Sequence, residues 1–156
     1  GNVIGPFDFT EGRIVPDFFS DQKILRLRFP DAVRPWQHVL EPLFGYIKYA
    51  LFVSNNDNYP TELNFGPFNN NTMSVLELVQ GLQKYKSIEI DSEGSDEAKS
   101  KETKLLTLDN SLAIKTIGWK PKWNIEFTLK YTADGYMSKN NMRNVMKRQI
   151  DAYTFD

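Results

Sequence analysis

Apolar and polar positions follow two different periods along the chain, which predicts short strands interspersed with helices. Residues 24–29 alternate apolar and basic side chains, the period-2 pattern of a strand. From residue 37 to residue 53 the apolar positions recur at helical spacing, and Pro42 falls near the start of this helix, where proline costs least. Residues 61–65 and 86–90 are two further strand candidates. Strands that alternate with helices predict an α/β chain, or a mixed α+β one.

Capping residues mark where several helices begin and end. Ser74 and Glu77 have the spacing of a capping box, and Asn124 has the side chain of a helix N-cap. Asp109 predicts the start of another helix, which stops at Gly118 with a proline shortly beyond. The residues predicted to face the core on these helices are Val75, Leu78, Val79, Leu82, Ile125, Leu129, Ala133 and Tyr136.

The two ends of the chain carry weaker signals. Residues 1–10 are rich in Gly, Pro and Phe, which predicts a loop that leaves a short strand. The pair at 10–11 is a candidate cap for a short helix with Pro16 in its first turn, and the prolines within 30–35 predict a break before the long helix. A last amphipathic helix is predicted over 140–153.

Composition bounds the possible functions. The 156 residues are 40% hydrophobic and 25% charged, which is typical of one globular domain. A net charge of −1 gives no global attraction to nucleic acid or to an anionic membrane, and no apolar run reaches the ~20 residues that span a bilayer. The sequence has no cysteine and one histidine, His38, which excludes disulfides, thiolate catalysis and a multi-histidine metal site within one chain. This composition is compatible with the cytoplasm, and because Gly1 is not an initiator we expect a fragment.

Four arginines lie around the strand predicted at 24–29 and its exits, and they are Arg13, Arg26, Arg28 and Arg34. Within the strand the leucines face one way and the arginines the other. A guanidinium is planar and permanently charged, and it binds phosphate through two parallel hydrogen bonds. A pyrophosphate site needs two or three such groups from separate elements. The alternative is an exposed strand face with solvated charges.

Three other groups are candidates for chemistry. Asn2 lies in the opening loop, just past the carboxyl end of a predicted strand, where α/β sheets bind ligands, although an Asn in a turn is often there for its backbone. His38 follows Trp36 and Gln37 and is either a general base or a packed, hydrogen-bonded histidine. The acidic stretch 91–97 does not match a calcium loop and predicts a solvated surface loop.

Two motifs that redox chemistry requires are missing from the sequence. No Gly-rich phosphate loop follows a strand, so the chain has no dinucleotide fingerprint. No tyrosine is followed by a lysine four residues later. The residues present do not assemble a redox mechanism by themselves.

Residues 33–43, Val-Arg-Pro-Trp-Gln-His-Val-Leu-Glu-Pro-Leu, strongly resemble the CDP-glucose 4,6-dehydratases, which are extended short-chain dehydrogenases/reductases. Other segments resemble the same family in the same order, and these are 1–5, 13–17, 64–67, 108–109 with 118–121, and 142–153. The resemblance implies that residues 1–156 are the sugar-nucleotide-binding carboxyl-terminal portion, with one or two strands that belong to the Rossmann sheet. The amino-terminal Rossmann half, which carries NAD and the catalytic residues, is then absent, and we expect no cofactor for this chain alone.

The resemblance also implies roles for particular residues. Asn2 resembles the asparagine that contacts the diphosphate of the nucleotide sugar, and Arg34 resembles the arginine that clamps it. The strand around Leu25 resembles a segment that flanks the base and ribose, whereas Pro6-Phe7-Asp8-Phe9 stands where many relatives have a Gly-rich Asp-Trp stretch. The other substrate-binding positions implied are Arg13, Ile14, Leu27, Arg28 and Glu102.

In the family reaction, NAD oxidises the glucose at C4, water leaves across C5 and C6, and the hydride returns to C6. The expected ligand is therefore CDP-glucose, in a pathway such as lipopolysaccharide O-antigen synthesis. The alternatives are a non-catalytic nucleotide-sugar-binding or assembly module, and part of a related epimerase or dehydratase. Because the family's two halves interleave, we expect the helix from Gln37 to expose an apolar face and to associate with the missing half or with another copy.

Overall fold

Helices and strands alternate along the chain, in agreement with the pattern of apolar positions. The computed structural model describes residues 2–68, 71–93, 103–138 and 141–155. The elements in chain order are β1 (Asn2–Ile4), α1 (Ile14–Phe19), β2 (Ile24–Arg26), β3 (Val33–His38), α2 (Leu40–Val53), β4 (Thr72–Ser74), α3 (Val75–Leu82), β5 (Glu89–Asp91), α4 (Ser111–Ile117), α5 (Ile125–Met137) and α6 (Met142–Phe155). This mixture confirms the α/β fold class.

The strands form two small sheets. In the first, β3 lies between β1 and β4, with β1 parallel to it and β4 antiparallel. The register places Asn2 opposite Trp36. In the second, β2 and β5 pair in parallel, so that Ile24 lies opposite Glu89. Helix α5 packs across β3 and also against α3 and α6.

The position of β3 corrects the predicted break and helix start. Pro35 lies inside this strand, and the helix begins at Leu40 rather than at Gln37. Proline is tolerated because it is the last residue paired with β4, while pairing with β1 begins at Trp36. The missing amide hydrogen therefore falls where the strand changes partner. Five of the six residues of β3 are buried, so the strand lacks the alternation that would have revealed it.

Three other predicted strands differ in the structure. The strand at 24–29 is shorter and ends at Arg26, and the strand predicted at 86–90 is displaced to Glu89–Asp91. Residues 61–65 form no strand, which contradicts the prediction. Phe65 instead packs in a buried cluster with Ala113, Ile117 and Trp119. Because a strand exists only through a hydrogen-bonded neighbour, residues 61–65 stay irregular in its absence.

Most helix ends follow the predicted capping. Ser74 and Glu77 form the reciprocal capping box of α3, and Asn124 Oδ1 accepts the backbone N–H of Phe127 at the start of α5. Helix α4 ends at Gly118, which adopts the left-handed conformation with φ +60°. These ends are decided by neighbouring residues alone, which is why the sequence predicts them well.

Two predicted caps are displaced. The N-cap of α4 is Asn110, although the carboxylate of Asp109 accepts the N–H of Ser111 (2.8 Å). Helix α1 begins after Arg13 rather than after residues 10–11, and no side chain caps it. Pro16 lies in the first turn of this helix, as predicted.

The main hydrophobic core lies between the two sheets and the inner faces of α1, α3 and α5. The predicted core positions Leu78, Val79, Leu82 and Ala133 are fully buried, and Leu129 nearly so. The other fully or nearly buried members are Ile4, Val15, Phe18, Phe19, Leu25, Leu27, Trp36, Ile88 and Tyr136. None of the helices within the described ranges combines the length and the apolar character needed to cross a membrane.

A buried carboxylate joins α2 to α6. Glu41 is fully buried, and its two oxygens accept the backbone N–H of Lys122 (3.0 and 3.1 Å), the N–H of Trp123 (2.7 Å) and the hydroxyl of Tyr153 (2.6 Å). Burial raises the pKa of Glu41, and the hydrogen bonds from Tyr153, Trp123 and Lys122 oppose that rise. One side chain therefore fixes a helix start, a turn and a second helix.

Candidate functional site

A cavity of about 500 Å³ opens beside the first sheet. Its walls come from β1, α1, β2 and β3, from the loops between them, and from the ends of α3 and α5. The polar side chains that line it are Asn2, Asp8, Arg13, Asp17, Arg26, Arg28, Arg34 and Tyr136. Four arginines from different elements therefore surround a space large enough for a small ligand.

The structure brings most of the predicted site residues to this cavity. Asn2, Arg13, Ile14, Arg28 and Arg34 all line it. These five residues come from β1, the N-cap and first residue of α1, the segment after β2, and β3. Their role in binding stays a prediction.

One predicted residue that the structure describes does not line the cavity. The side chain of Leu27 is only 2% exposed and packs in the core, because it lies on the leucine face of its segment. Arg26 and Arg28 are exposed on the other face, as the alternation predicts. Glu102 lies outside the described residues.

Arg34 is the most enclosed of the cavity arginines, with 6% of its surface exposed. Its position in β3 places it and Trp36 on the face that borders the cavity. The guanidinium donates through Nη1 to the backbone oxygen of Val33 (2.8 Å). Its planar, permanently charged guanidinium borders the cavity and suits a phosphate group bound there.

The other arginines have different surroundings. Arg28 donates through Nη2 to the backbone oxygen of Gly12 (3.4 Å). Arg26 Nε lies 3.3 Å from a carboxylate oxygen of Asp91, with 83% of its side chain exposed. The interpretation as a solvated strand face therefore describes Arg26 well, whereas Arg34 fits the phosphate interpretation.

Two carboxylates shape the loop at the rim of the cavity. Asp8 Oδ1 accepts the N–H of Thr10 (3.0 Å), and Asp17 Oδ1 accepts the N–H of Gly12 (3.1 Å). The hydrogen bonds from Thr10, aided by the charge of Arg13, lower the pKa of Asp8. Neither carboxylate was predicted as a site residue, although an Asp side chain that accepts the backbone N–H two residues on is a common turn feature.

The end of α5 contributes Tyr136 to the cavity wall. Tyr136 is 4% exposed, stacks on Phe19 with ring centroids 4.4 Å apart, and donates its hydroxyl to the backbone oxygen of Asp8 (2.5 Å). Burial raises the pKa of Tyr136, so the hydroxyl stays protonated as a donor at neutral pH. The sequence predicted Tyr136 only as a core residue.

His38 is a packed histidine rather than a base in the cavity. Its side chain is fully buried, its ring lies 4.8 Å from that of Trp123, and burial lowers its pKa to about 3. Nδ1 accepts the N–H of Leu40 (3.3 Å). Of the acidic stretch 91–97, only 91–93 are described; across the described ranges, no group of three acidic or histidine side chains is placed to hold a metal ion.

Comparisons with known proteins agree with the resemblance carried by residues 33–43. CDP-glucose 4,6-dehydratase of Salmonella typhimurium is 34% identical over 134 residues, which are 83% of this chain and 37% of that enzyme. UDP-glucose 4-epimerase of Stenotrophomonas maltophila superposes with a TM-score of 0.73 at 17% identity, over 90% of this chain and 46% of the epimerase. UDP-glucuronic acid 4-epimerase of Bacillus cereus gives a TM-score of 0.71 at 18% identity, over 88% and 43%. No protein-family model matches the chain.

The fold is that of the carboxyl-terminal part of an extended short-chain dehydrogenase/reductase. The sequence is similar to CDP-glucose 4,6-dehydratase, as residues 33–43 predicted. The chain spans 37% of the length of that curated relative and less than half of each solved structure. Both solved epimerases were determined with bound NAD, and each also holds a UDP-linked sugar.

Proposed function

We propose that this chain is the nucleotide-sugar-binding part of a CDP-glucose 4,6-dehydratase-like enzyme, which converts CDP-glucose to CDP-4-keto-6-deoxyglucose and water. The observation that carries the proposal is the convergence of Asn2, Arg13, Arg28 and Arg34 on one cavity. A diphosphate offers several acceptor oxygens and two or three negative charges, which arginines from separate elements bind well. The similarity to the Salmonella enzyme supports CDP-glucose as the ligand.

Different residues of the cavity would contact different parts of the nucleotide. The enclosed Arg34 would hold the diphosphate, with Arg13 and Arg28 approaching from the rim. Apolar groups such as Ile14 and Leu25 line another part of the wall and offer a surface for the base and ribose. Binding energy gained at the nucleotide places the distant hexose carbon where it reacts.

The residues of this chain do not fit an NAD site. The sequence contains no Gly-rich loop after a strand and no Tyr-x-x-x-Lys, and the two small sheets of the described residues do not form the extended parallel sheet of a Rossmann crevice. In the complete family enzyme NAD supplies hydride transfer at C4 and C6. We therefore assign NAD and the chemical steps to another part of the complete enzyme.

Calorimetric titration of the chain tests the binding function. CDP is expected to bind at least tenfold more tightly than CMP, because the second phosphate adds charge-assisted hydrogen bonds of about 1.5 to 3 kcal/mol each. Equal affinities for CDP and CMP, or no binding of either, would contradict the proposal.

A turnover assay tests the reaction. CDP-glucose and NAD are incubated with the chain joined to the amino-terminal half of a family enzyme. A 4-keto-6-deoxy product would support the dehydratase function. An epimerised sugar would support a related epimerase, and binding without turnover would support a non-catalytic module.

We also propose that α2 packs against the amino-terminal half. Four large apolar side chains on one face of α2 are between 44% and 63% exposed, and they are Leu43, Tyr46, Ile47 and Leu51. On the opposite face Glu41 and Gly45 are buried. An apolar stripe of this size is costly to leave in water. The chain spans only 37% of its curated relative, so a partner surface of the same enzyme is expected to cover the stripe.

The chain alone is therefore expected to self-associate. Replacing Leu43, Ile47 and Leu51 with glutamine should shift the sedimentation coefficient to that of a monomer. The matched control replaces Met142, Met146 and Ile150 with glutamine; these three form another exposed stripe, on α6, and should leave the association unchanged. A wild-type chain that sediments as a monomer at tens of micromolar would contradict the prediction.

A further inference from the structure

The loop that follows β1, residues 5–12, rests on the end of α5. Pro6 presses so closely on Gly135 that a Cβ atom on this glycine would lie 1.9 Å from the Cβ of Pro6. One residue later, the hydroxyl of Tyr136 donates to the backbone oxygen of Asp8 (2.5 Å). Two consecutive residues of α5 thus hold two points of the loop.

The far end of the same loop is held by Asp17 and Arg28. Gly12 donates its N–H to Asp17 Oδ1 (3.1 Å), and its backbone oxygen accepts from Arg28 Nη2 (3.4 Å). Between these attachments Phe7 has φ +63°, a conformation that costs about 1 kcal/mol or more for a residue other than glycine. Such strain persists only where the surrounding contacts fix the backbone, and the contacts of Pro6 and Asp8 with α5 do so here.

The loop matters to the cavity because it supplies part of the wall. Asp8 and Gly12 line the cavity, and the residue after Gly12 is Arg13. A shift of the loop would therefore move one rim of the cavity together with the backbone that carries Arg13. The hydroxyl of Tyr136 donates its one hydrogen to Asp8 and has none left to donate to a ligand, so the effect of this hydrogen bond on a ligand would pass through the loop.

We infer that Tyr136 is a positioning residue for the ligand cavity: with Gly135 it seats the loop of residues 5–12, and the seated loop sets the position of Arg13. This inference rests on the proposed binding of a nucleoside diphosphate. It adds to that proposal a residue on α5, remote in sequence from every predicted diphosphate contact. Gly135 is also needed to seat the loop, because any side chain at this position would displace Pro6.

Tyr136→Phe tests the inference, with Tyr153→Phe as the matched control. Both tyrosines are buried and donate one hydroxyl hydrogen bond, but Tyr153 donates to Glu41 on the side of the molecule held by α6. We expect Tyr136→Phe to weaken CDP binding about five- to tenfold in calorimetry. Tyr153→Phe should change CDP affinity less than twofold even though it lowers the melting temperature. Equal losses of affinity in both variants would show general destabilisation and overturn the inference.

Hydrogen exchange without ligand separates this inference from the proposed function. The backbone amides of Thr10 and Gly12 should exchange at least fivefold faster in Tyr136→Phe than in the wild type, and at the wild-type rate in Tyr153→Phe. Protected loop amides in Tyr136→Phe would overturn the inference, whatever the result with CDP. Faster loop exchange together with a wild type that does not bind CDP would refute the proposed function alone.

Two further variants extend the test. Gly135→Ala improves the helix propensity of α5 but forces Pro6 to move, so we expect weaker CDP binding without a matching loss of helix content. In an Arg13→Ala background, Tyr136→Phe should cause little additional loss, because both changes act on one contact. Fully additive losses would overturn the route through Arg13.

Discussion

An Arg34→Ala variant is expected to bind CDP about a hundredfold more weakly than the wild-type chain, which corresponds to about 2.8 kcal/mol of binding free energy. Arg34 is the most enclosed arginine of the cavity and lies on the central strand β3. A guanidinium in such a place can offer two parallel hydrogen bonds to a phosphate that water screens poorly. Calorimetric titration with CDP measures the loss.

Two companion variants make the Arg34 result specific. Arg34→Lys keeps the charge but loses the planar fork, so it should recover only part of the affinity. Arg143→Ala removes the same charge from the exposed surface of α6 and should bind CDP as the wild type does. If Arg34→Ala keeps wild-type affinity while its circular dichroism spectrum is unchanged, Arg34 is not part of the site.

Replacing Glu41 with alanine is expected to lower the free energy of unfolding by about 3 to 5 kcal/mol. The change leaves three buried donors without their acceptor: the N–H groups of Lys122 and Trp123, and the hydroxyl of Tyr153. Each such donor costs about 1 to 3 kcal/mol when it is left unsatisfied. A domain of this size has only about 5 to 15 kcal/mol in total, so urea denaturation at pH 7 should show a large shift of the midpoint.

The control for this variant is Glu126→Ala. Glu126 also lies in the first turn of its helix, α5, but is exposed, so its loss should cost less than about 1 kcal/mol. Equal midpoints for the two variants would contradict the role given to the Glu41 network.

The pH dependence of stability supplies a second check on the Glu41 network. Since the folded-state pKa of Glu41 is raised, its contribution to stability is largest below its ordinary pKa and falls as the pH rises through the raised value. The gap between wild type and Glu41→Ala should therefore widen on acidification.

The helix ends and the buried helix faces that were predicted correctly depend on residues close together in the sequence. The capping box of Ser74 and Glu77, the Asn124 cap and the Gly118 stop depend on residues within one turn of each other. The inner face of α3 follows from helical spacing alone, and Leu78 is fully buried as that spacing predicts. Because these signals are local, contacts with distant parts of the chain did not change the predicted helix ends and inner faces.

Strand pairing was harder to predict because it depends on distant residues. Pro35 indicated a break, and nothing nearby in the sequence reveals that β4 and β1 meet β3 on either side of it. Residues 61–65 have strand composition but no strand partner within the described residues. Composition can indicate that a segment suits a strand, but the hydrogen bonds must come from elsewhere.

The site was predicted in part by residue chemistry and in part by resemblance. The alternation of leucine and arginine correctly gave the two faces around Arg26 and Arg28. The sequence around the strand grouped Arg34 with them as a candidate phosphate site, with a solvated strand face as the alternative, and the resemblance of residues 33–43 favoured the phosphate site. Tyr136 and Glu41 were missed as functional or network residues, because their partners, Asp8 and Tyr153, lie more than a hundred residues away along the chain.

The pairing pattern of the strands also bears on how quickly the chain reaches its native state. Asn2 pairs with Trp36, and Ile24 pairs with Glu89, each in parallel and each across a long intervening segment. Closing those long loops costs conformational entropy before any hydrogen bond between the strands can form and offset it. Helices such as α3 and α5 are then expected to form early, and the assembly of β1 and β3 into the cavity wall is expected to be a late and slow step in refolding.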